Sequence, residues 1–372
     1  MSENNKKKKK KRRVKRWQKI LIGVLAVMLV VLGGVYGVVL HKLGQIEKDT
    51  TLDLSSLKTV QVPGYRNIIL LGVDTRDMST TEGTRTDAIM IASINDVTKG
   101  VTLTSVYRDT LLKMGDTDSY EKATHAHAYG GPEMTITMLD QALDIDAKEY
   151  ILFNFKAVAD VVDAVGGITV DVKEREVKEL NHITKDTARH LGLTDYQLAE
   201  GPGEQTLTGV QAVAYGRIRK GVGDDYARTG RMRDVVEILL KKVRGMSVSE
   251  INDLLSLVLP QIKTNLTNNQ ILSLAADINA YEIQDSIGFP YQKYATMLEG
   301  ASVVVPIDLE GDVVRWHQVV FGQKDFEISP EAKAISDHIK IAMGQRLPAS
   351  EESDGSDGQG SDDESGDYEE GY

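Results

Sequence analysis

Asn67-Ile68-Ile69-Leu70-Leu71-Gly72-Val73-Asp74-Thr75-Arg76 is an almost unbroken apolar run that ends in an acid and a base. It is too short for a globular helix and lacks polar alternation, so it suits a strand buried on both faces. Residues 88–94 repeat the pattern. Residues 101–107 follow after Asn95-Asp96-Val97-Thr98-Lys99-Gly100, a turn-rich connection of hairpin length. Residues 150–155, 168–172 and 303–306 read as further strands. Helices fit 157–165, 207–218, 226–243, 248–259, 268–278 (with Thr267 as N-cap) and 330–343. Gly130-Gly131-Pro132-Glu133 opens another, with Pro early, Glu near the positive end of the dipole, and Ile136, Leu139 and Leu143 as the apolar stripe. Strands with two apolar faces need helices on both sides. The expected fold is α/β, a three-layer α/β/α sandwich with a central mixed sheet.

Charge recurs beside these elements. Asp74 and Arg76 close the first strand, Arg85 and Asp87 precede the second, and Arg108-Asp109 follow the third. Arg217 and Arg219 come after a helix, and Arg228 and Arg231 lie within the next one. A solvated surface has no need of charge so regularly at strand ends. Guanidinium forks match phosphate oxygens in pairs, and neighbouring carboxylates can hold a hard divalent cation against the same phosphates. The pattern predicts a site for a pyrophosphate-bearing substrate.

The chain has 372 residues, is 41% hydrophobic and contains no cysteine, which excludes disulfides, thiolate metal sites and cysteine nucleophiles. Its formal net charge of −11 is unevenly spread. Residues 1–19 hold eleven Lys/Arg and one Glu, so everything beyond is strongly acidic. Residues 20–40 carry no charge. At about 1.5 Å per residue such a run spans a hydrocarbon core of roughly 30 Å. The basic flank, with Trp17 at the interface, predicts a signal-anchor: residues 1–19 cytoplasmic, 20–40 a single transmembrane helix in membrane lipid, the remainder extracellular. That position also makes the lysine run a topology signal rather than a nucleic-acid arm. Residues 41–65 read as a linker, 66–345 as the folded domain, and 346–372 as a disordered acidic tail.

The motifs Asn67 to Arg76, Arg85 to Asn95, Val101 to Thr110, His127-Ala-Tyr-Gly-Gly-Pro-Glu, Asp163-Ala-Val-Gly-Gly-Ile-Thr-Val-Asp-Val, Gln205 to Arg219 and Asp225 to Arg233 occur in one order behind one apolar run. In this the chain resembles the LytR-CpsA-Psr family of membrane-anchored glycopolymer transferases. The resemblance implies an α/β/α sandwich with an apolar pocket for lipid. It implies transfer of an anionic glycopolymer, such as wall teichoic acid or capsular polysaccharide, from a polyprenyl-pyrophosphate carrier to peptidoglycan, with Mg²⁺ assisting at the pyrophosphate. The setting would be the outer face of a Gram-positive-type membrane. A non-catalytic polyprenyl-phosphate-binding module or an envelope-linked regulator stands as the alternative.

Phosphoryl transfer depends mainly on positioning and charge neutralisation. Arg85, Arg108, Arg217, Arg219, Arg228 and Arg231 are the expected phosphate ligands, with Arg76 beside them in the catalytic set. Asp74 and Asp87 are the expected Mg²⁺ ligands, and the residues do not choose between them for the base. Asp109 is expected to orient Arg108, and Gln211 to contact substrate. His125 and His127 have no third ligand at matching spacing, so a turn or sugar contact suits them better than a metal. Two positions depart from the family pattern: Tyr107 stands where Pro is usual, and Met232 where Gln is frequent. A thioether cannot donate a hydrogen bond.

Overall fold

The structure is a computed structural model and describes residues 41–344, apart from 56, 58–59, 76–80, 82, 219–224 and 299. Seven strands form the central sheet in the order β1 (Glu47–Lys48), β10 (Ile262–Thr264), β7 (Glu149–Asn154), β2 (Tyr65–Val73), β3 (Thr86–Asn95), β4 (Gly100–Val106) and β11 (Glu282–Phe289). The sheet is mixed: β2–β3, β3–β4 and β7–β10 are antiparallel, while β2–β7, β4–β11 and β1–β10 are parallel. Three ribbons flank it: β5 (Leu111–Lys113) with β6 (Tyr120–Lys122), β8 (Ile168–Val172) with β9 (Gly203–Leu207), and β12 (Lys293–Leu298) with β13 (Ala301–Pro306).

Side-chain alternation along β2 explains why its sequence is apolar throughout. Ile69, Leu71 and Val73 pack on one face in the main core, with Ile136 and Leu139 of α1 (Ala123–Leu143). Ile68 and Leu70 serve a second core on the opposite face. Helices therefore cover both faces. The remaining ones are α2 (Phe155–Ala164), α3 (Glu174–Leu191), α4 (Gly209–Tyr215), α5 (Asp225–Val243), α6 (Val248–Val258), α7 (Asn268–Ala276), α8 (Leu309–Phe321) and α9 (Pro330–Met343). Of these, α8 and α9 join α1 on the main core, while Val236 of α5 and Leu274 of α7 reach the second.

Three expectations are corrected. The helix expected to open at Gly130 begins at Ala123 and is broken instead at Gly130 and Gly131, where Gly131 takes φ 60° and ψ −152°. Pro132 then restarts it, its missing N–H needing no partner there. Residues 174–191 form α3, which the sequence reading left unassigned. Residues 41–65, expected as a linker, are tied to the body. Leu43 and Ile46 pack on Leu259, β1 extends the sheet, and the Tyr150 hydroxyl donates to Asp49 at 2.7 Å. Their apolar residues are too few and scattered to show a period, yet Leu43, Ile46 and Val62 are buried, and Leu52, Leu54 and Leu57 pack partly buried against the main core.

No helix among the described residues is long and apolar enough to cross a membrane. The basic segment 1–19, the expected span 20–40 and the acidic tail 346–372 lie outside the described residues.

Candidate functional site

Sheet order brings the charges together. Because β3 runs antiparallel to both β2 and β4, the end of β2, the start of β3 and the end of β4 meet at one edge. Asp74, Asp87, Arg108 and Asp109 are placed there by topology alone. From above, the turn after α4 supplies Arg217 and α5 enters with Arg228. Gly209 allows α4 to lie against α2: a Cβ at that position would fall 2.2 Å from the Ala159 carbonyl oxygen. The Asp163 carboxylate fixes the same contact by accepting from the Gly209 N–H at 2.6 Å.

These elements enclose a cavity of about 350 Å³ lined by Asp87, Arg108, Arg217, Arg228 and Met232 and, from α3, by residues that include Glu179, His182 and Asp186. Arg108 Nη1 donates to Asp87 Oδ1, and Arg228 Nη1 lies 4.0 Å from that same oxygen. Asp109 flanks Arg108, its Oδ1 at 3.6 Å from Nε, and Lys122 Nζ approaches it at 3.4 Å. Arg217 bridges Asp74 Oδ2 at 3.5 Å and Asp186 Oδ2 at 3.6 Å, donates to Thr187 Oγ1 at 2.8 Å, and lies over the Phe155 ring. His190 Nε2 sits 2.9 Å from Asp74 Oδ1. Arg228 is only 2% exposed, so its charge is held in a poorly solvated wall where its interactions are strong.

Five predicted residues are placed otherwise or lie beyond description. Arg231 is turned away from the cavity. Its Nε and Nη2 both donate to Glu176 Oε1, at 3.0 and 2.7 Å, and Nη1 donates to the Ile218 carbonyl. Gln211 is buried and caps α4, its Oε1 accepting from the N–H and hydroxyl of Thr208 at 2.9 and 3.0 Å. This Thr-x-x-Gln arrangement is a capping box, which the sequence displays. Arg76 and Arg219 lie outside the described residues, and Arg85 is exposed at the head of β3.

An apolar slot adjoins the charged cavity and shares Arg217 and Met232 with it. Phe153, Phe155, Val158, Val213 and Val235 are among its walls, and its volume of about 60 Å³ holds only a few water-sized spheres. Met232 stands at the junction. Tyr107, the other departure, packs edge-on against Tyr226 of α5 with ring centroids 4.8 Å apart, just before Arg228.

Among the described residues no three His, Asp or Glu side chains converge as a metal cage. Asp87 on the cavity and Asp74 beside Arg217 instead provide carboxylates of the kind that hold Mg²⁺ jointly with substrate phosphates and water. That donor set fits a substrate-borne Mg²⁺. The wall from α3, with Glu179, His182, Asp186 and His190, escaped the sequence reading. Its signals were there: Val177, Leu180 and Ile183 at threefold spacing, Glu174 and Glu176 in the first turn, and Gly192 closing the helix with φ 73°.

A profile of the LytR_cpsA_psr family matches residues 37–310. The polyisoprenyl-teichoic acid–peptidoglycan teichoic acid transferase TagT of Bacillus subtilis (strain 168) is 30% identical over 306 residues, which cover 78% of this chain and 92% of that protein. Among solved structures, protein gbs0355 of Streptococcus agalactiae matches with a TM-score of 0.60 at 26% identity, over 72% of this chain and 90% of that one. The family protein YwtF (TagT) with bound octaprenyl pyrophosphate lipid shares the fold at a TM-score of 0.53 and 21% identity, over 74% of this chain and 99% of that one.

Proposed function

The chain belongs to the LytR_cpsA_psr family, and on that premise we propose that it is an extracytoplasmic phosphotransferase. It moves an anionic glycopolymer, such as wall teichoic acid or a capsular polysaccharide, from a polyprenyl-pyrophosphate carrier to peptidoglycan. The observation that carries this reading is the joining of two unlike spaces. A cavity walled by Arg108, Arg217 and Arg228 meets an apolar slot across Met232. A polyprenyl pyrophosphate has the same two parts, an anionic head and an apolar chain. The slot is narrow, so the chain enters only as α5 moves away from α2 and α4.

In this reading the guanidiniums of Arg108, Arg217 and Arg228 bind the two phosphates and neutralise charge that builds up on their oxygens. A hydroxyl of the acceptor glycan attacks the phosphorus that bears the glycopolymer. The bond from that phosphorus to the bridging oxygen breaks, and polyprenyl phosphate leaves. The hydroxyl proton passes to a carboxylate, Asp74 or Asp87, and the product is a phosphodiester. Asp109 and Lys122 hold Arg108 in place from behind. Mg²⁺, when held by Asp74, Asp87 and the phosphates, would supply further neutralisation of the leaving phosphate. On the same reading, residues 20–40 anchor the domain in the membrane with residues 1–19 in the cytoplasm.

The test is reconstitution of the full-length chain in detergent with a polyprenyl-pyrophosphate-linked glycopolymer, peptidoglycan and Mg²⁺. Polymer should become bound to peptidoglycan as polyprenyl phosphate is released. Arg108→Ala and Arg228→Ala should each abolish this while circular dichroism stays unchanged, and EDTA should suppress it. Full ligation by both variants would remove the roles given to these arginines.

A further inference from the structure

A second cavity, of about 480 Å³, lies where α1 is broken. His127, Tyr129, Pro132 and Glu133 border it from α1, Asp49 and Lys263 from the opposite side, and Thr81 and Gly83 from the segment leading into β3. It is built on the reverse side of the active segment. The Thr84 carbonyl meets His127, the Thr86 carbonyl accepts from Thr124 Oγ1 at 2.6 Å, and the Arg108 carbonyl accepts from the Thr124 N–H at 2.9 Å. Asp87 and Arg108, which line the arginine cavity, therefore sit within a few residues of atoms that hold this second one in shape.

Its chemistry differs from that of the arginine cavity. His127 is 1% exposed, and its Nδ1 lies 2.9 Å from the Thr84 carbonyl oxygen, an acceptor, so Nδ1 carries the proton. Burial lowers the pKa of the ring and keeps it neutral. Nε2 is then a lone-pair acceptor, and it has no hydrogen-bond partner among the described residues. A buried polar atom in this state favours a ligand that offers it a hydroxyl or amide proton. At the rim the Tyr129 side chain stands out, 60% exposed, with the His125 ring tilted against it at 5.7 Å. This gives a flat apolar face beside an acceptor. The charged groups at the border are two carboxylates, Asp49 and Glu133, and one ammonium, Lys263, which disfavours a phosphate. Metal coordination is not supported, since no three of the described His, Asp or Glu side chains converge.

We propose that this cavity binds a neutral saccharide ring: its C–H face lies on Tyr129 and one of its hydroxyl or N-acetyl protons is donated to His127 Nε2. Two sources share that chemistry, the acceptor glycan and the sugar at the carrier end of the donor polymer. Assigning the ring to either one rests on the transferase reading, whereas its binding does not.

The experiment measures affinity of the full-length chain in detergent for three probes: a soluble, uncharged peptidoglycan glycan oligosaccharide, the polyprenyl-pyrophosphate-linked glycopolymer, and polyprenyl pyrophosphate alone. Tyr129→Ala removes the exposed ring. His127→Asn keeps a donor near the Nδ1 position, against Thr84, and removes Nε2. Each variant should weaken a saccharide-bearing probe roughly tenfold, as expected for loss of one stacking face or one buried hydrogen bond. Polyprenyl pyrophosphate alone should bind as before. Weakening confined to the oligosaccharide assigns the acceptor, and weakening confined to the glycopolymer assigns the donor sugar. Unchanged affinity for both saccharide probes in Tyr129→Ala, which stays interpretable if His127→Asn misfolds, overturns the site. Absence of saccharide binding by the unaltered chain overturns it equally. Saccharide binding without any transfer would instead sink the transferase reading and leave the site standing.

Discussion

Replacing Arg231 by Met separates a structural arginine from the ones that line the cavity. Arg231 and Glu176 are both nearly buried, and Glu176 Oε1 accepts two of the guanidinium's N–H groups. The change leaves the Glu176 carboxylate in a poorly solvated place without its counter-charge, a loss of about 3–5 kcal/mol for a broken buried pair. Glu176 Oε2 keeps the Lys173 N–H at 3.0 Å, so the lower end, about 3 kcal/mol, is expected. In a domain of this size that lowers Tm by roughly 6–10 °C. Thermal unfolding followed by circular dichroism reads it directly. The double variant Glu176→Leu/Arg231→Met should recover most of the loss, because an apolar pair of similar volume removes both unpaired charges. A single variant that melts like the parent but no longer binds polyprenyl pyrophosphate would refute this, and would return Arg231 to the phosphate-binding set.

Two further outcomes are expected. Met232→Gln places an amide donor where the cavity meets the slot, and should tighten binding of polyprenyl pyrophosphate about threefold to tenfold, as one added hydrogen bond of ordinary net strength would; unchanged or weaker binding in titration would show that the junction contacts only the lipid. Burial pushes the Asp140 carboxyl to about 8, far above its ordinary 3.8, while the Ala147 N–H donates to Oδ1 at 3.1 Å. A raised folded-state pKa means that the folded chain binds the proton more tightly, so stability falls as pH rises from about 4 towards about 8. Asp140→Asn should make Tm less dependent on pH across that window, with Asp312, pushed up to about 7, supplying a remaining slope. An unaltered slope would show that Asp140 is ionised throughout.

The central sheet was legible because burial on two faces writes itself as a nearly unbroken apolar run, which β2 and β3 both carry, with β4 following after a turn-rich connection of hairpin length. The last helix, expected over 330–343, starts at Pro330 behind Ser329, whose Oγ accepts from the Ala332 N–H. Other elements were hidden for physical reasons. The edge strand β11 faces solvent along much of its length, and Glu282, Gln284 and Asp285 gave it the look of a loop. In α3 only a thin stripe is apolar, and the charge around it is part of the cavity wall. The arginines show the limit most clearly. Arg228 and Arg231 lie one turn apart on α5, and nothing within that helix tells which meets the cavity. Glu176 decides it, arriving from 55 positions upstream. Gln211 could have been read correctly, since Thr208-x-x-Gln211 is a capping signal that the larger motif overshadowed.

Asp87, Asp74 and Asp186 also mean that the arginines of the resting cavity already have anions. In the proposed reaction an incoming pyrophosphate must replace these resident counter-ions rather than fill a bare positive hole. The exchange lowers affinity for donor and product alike, and lets carboxylates retake the guanidiniums as a phosphate departs. Binding strength common to substrate and product does not speed the chemical step, and in excess it delays release. Built-in counter-ions of this kind set a ceiling on occupancy by stray phosphates and a floor under the rate at which the site empties.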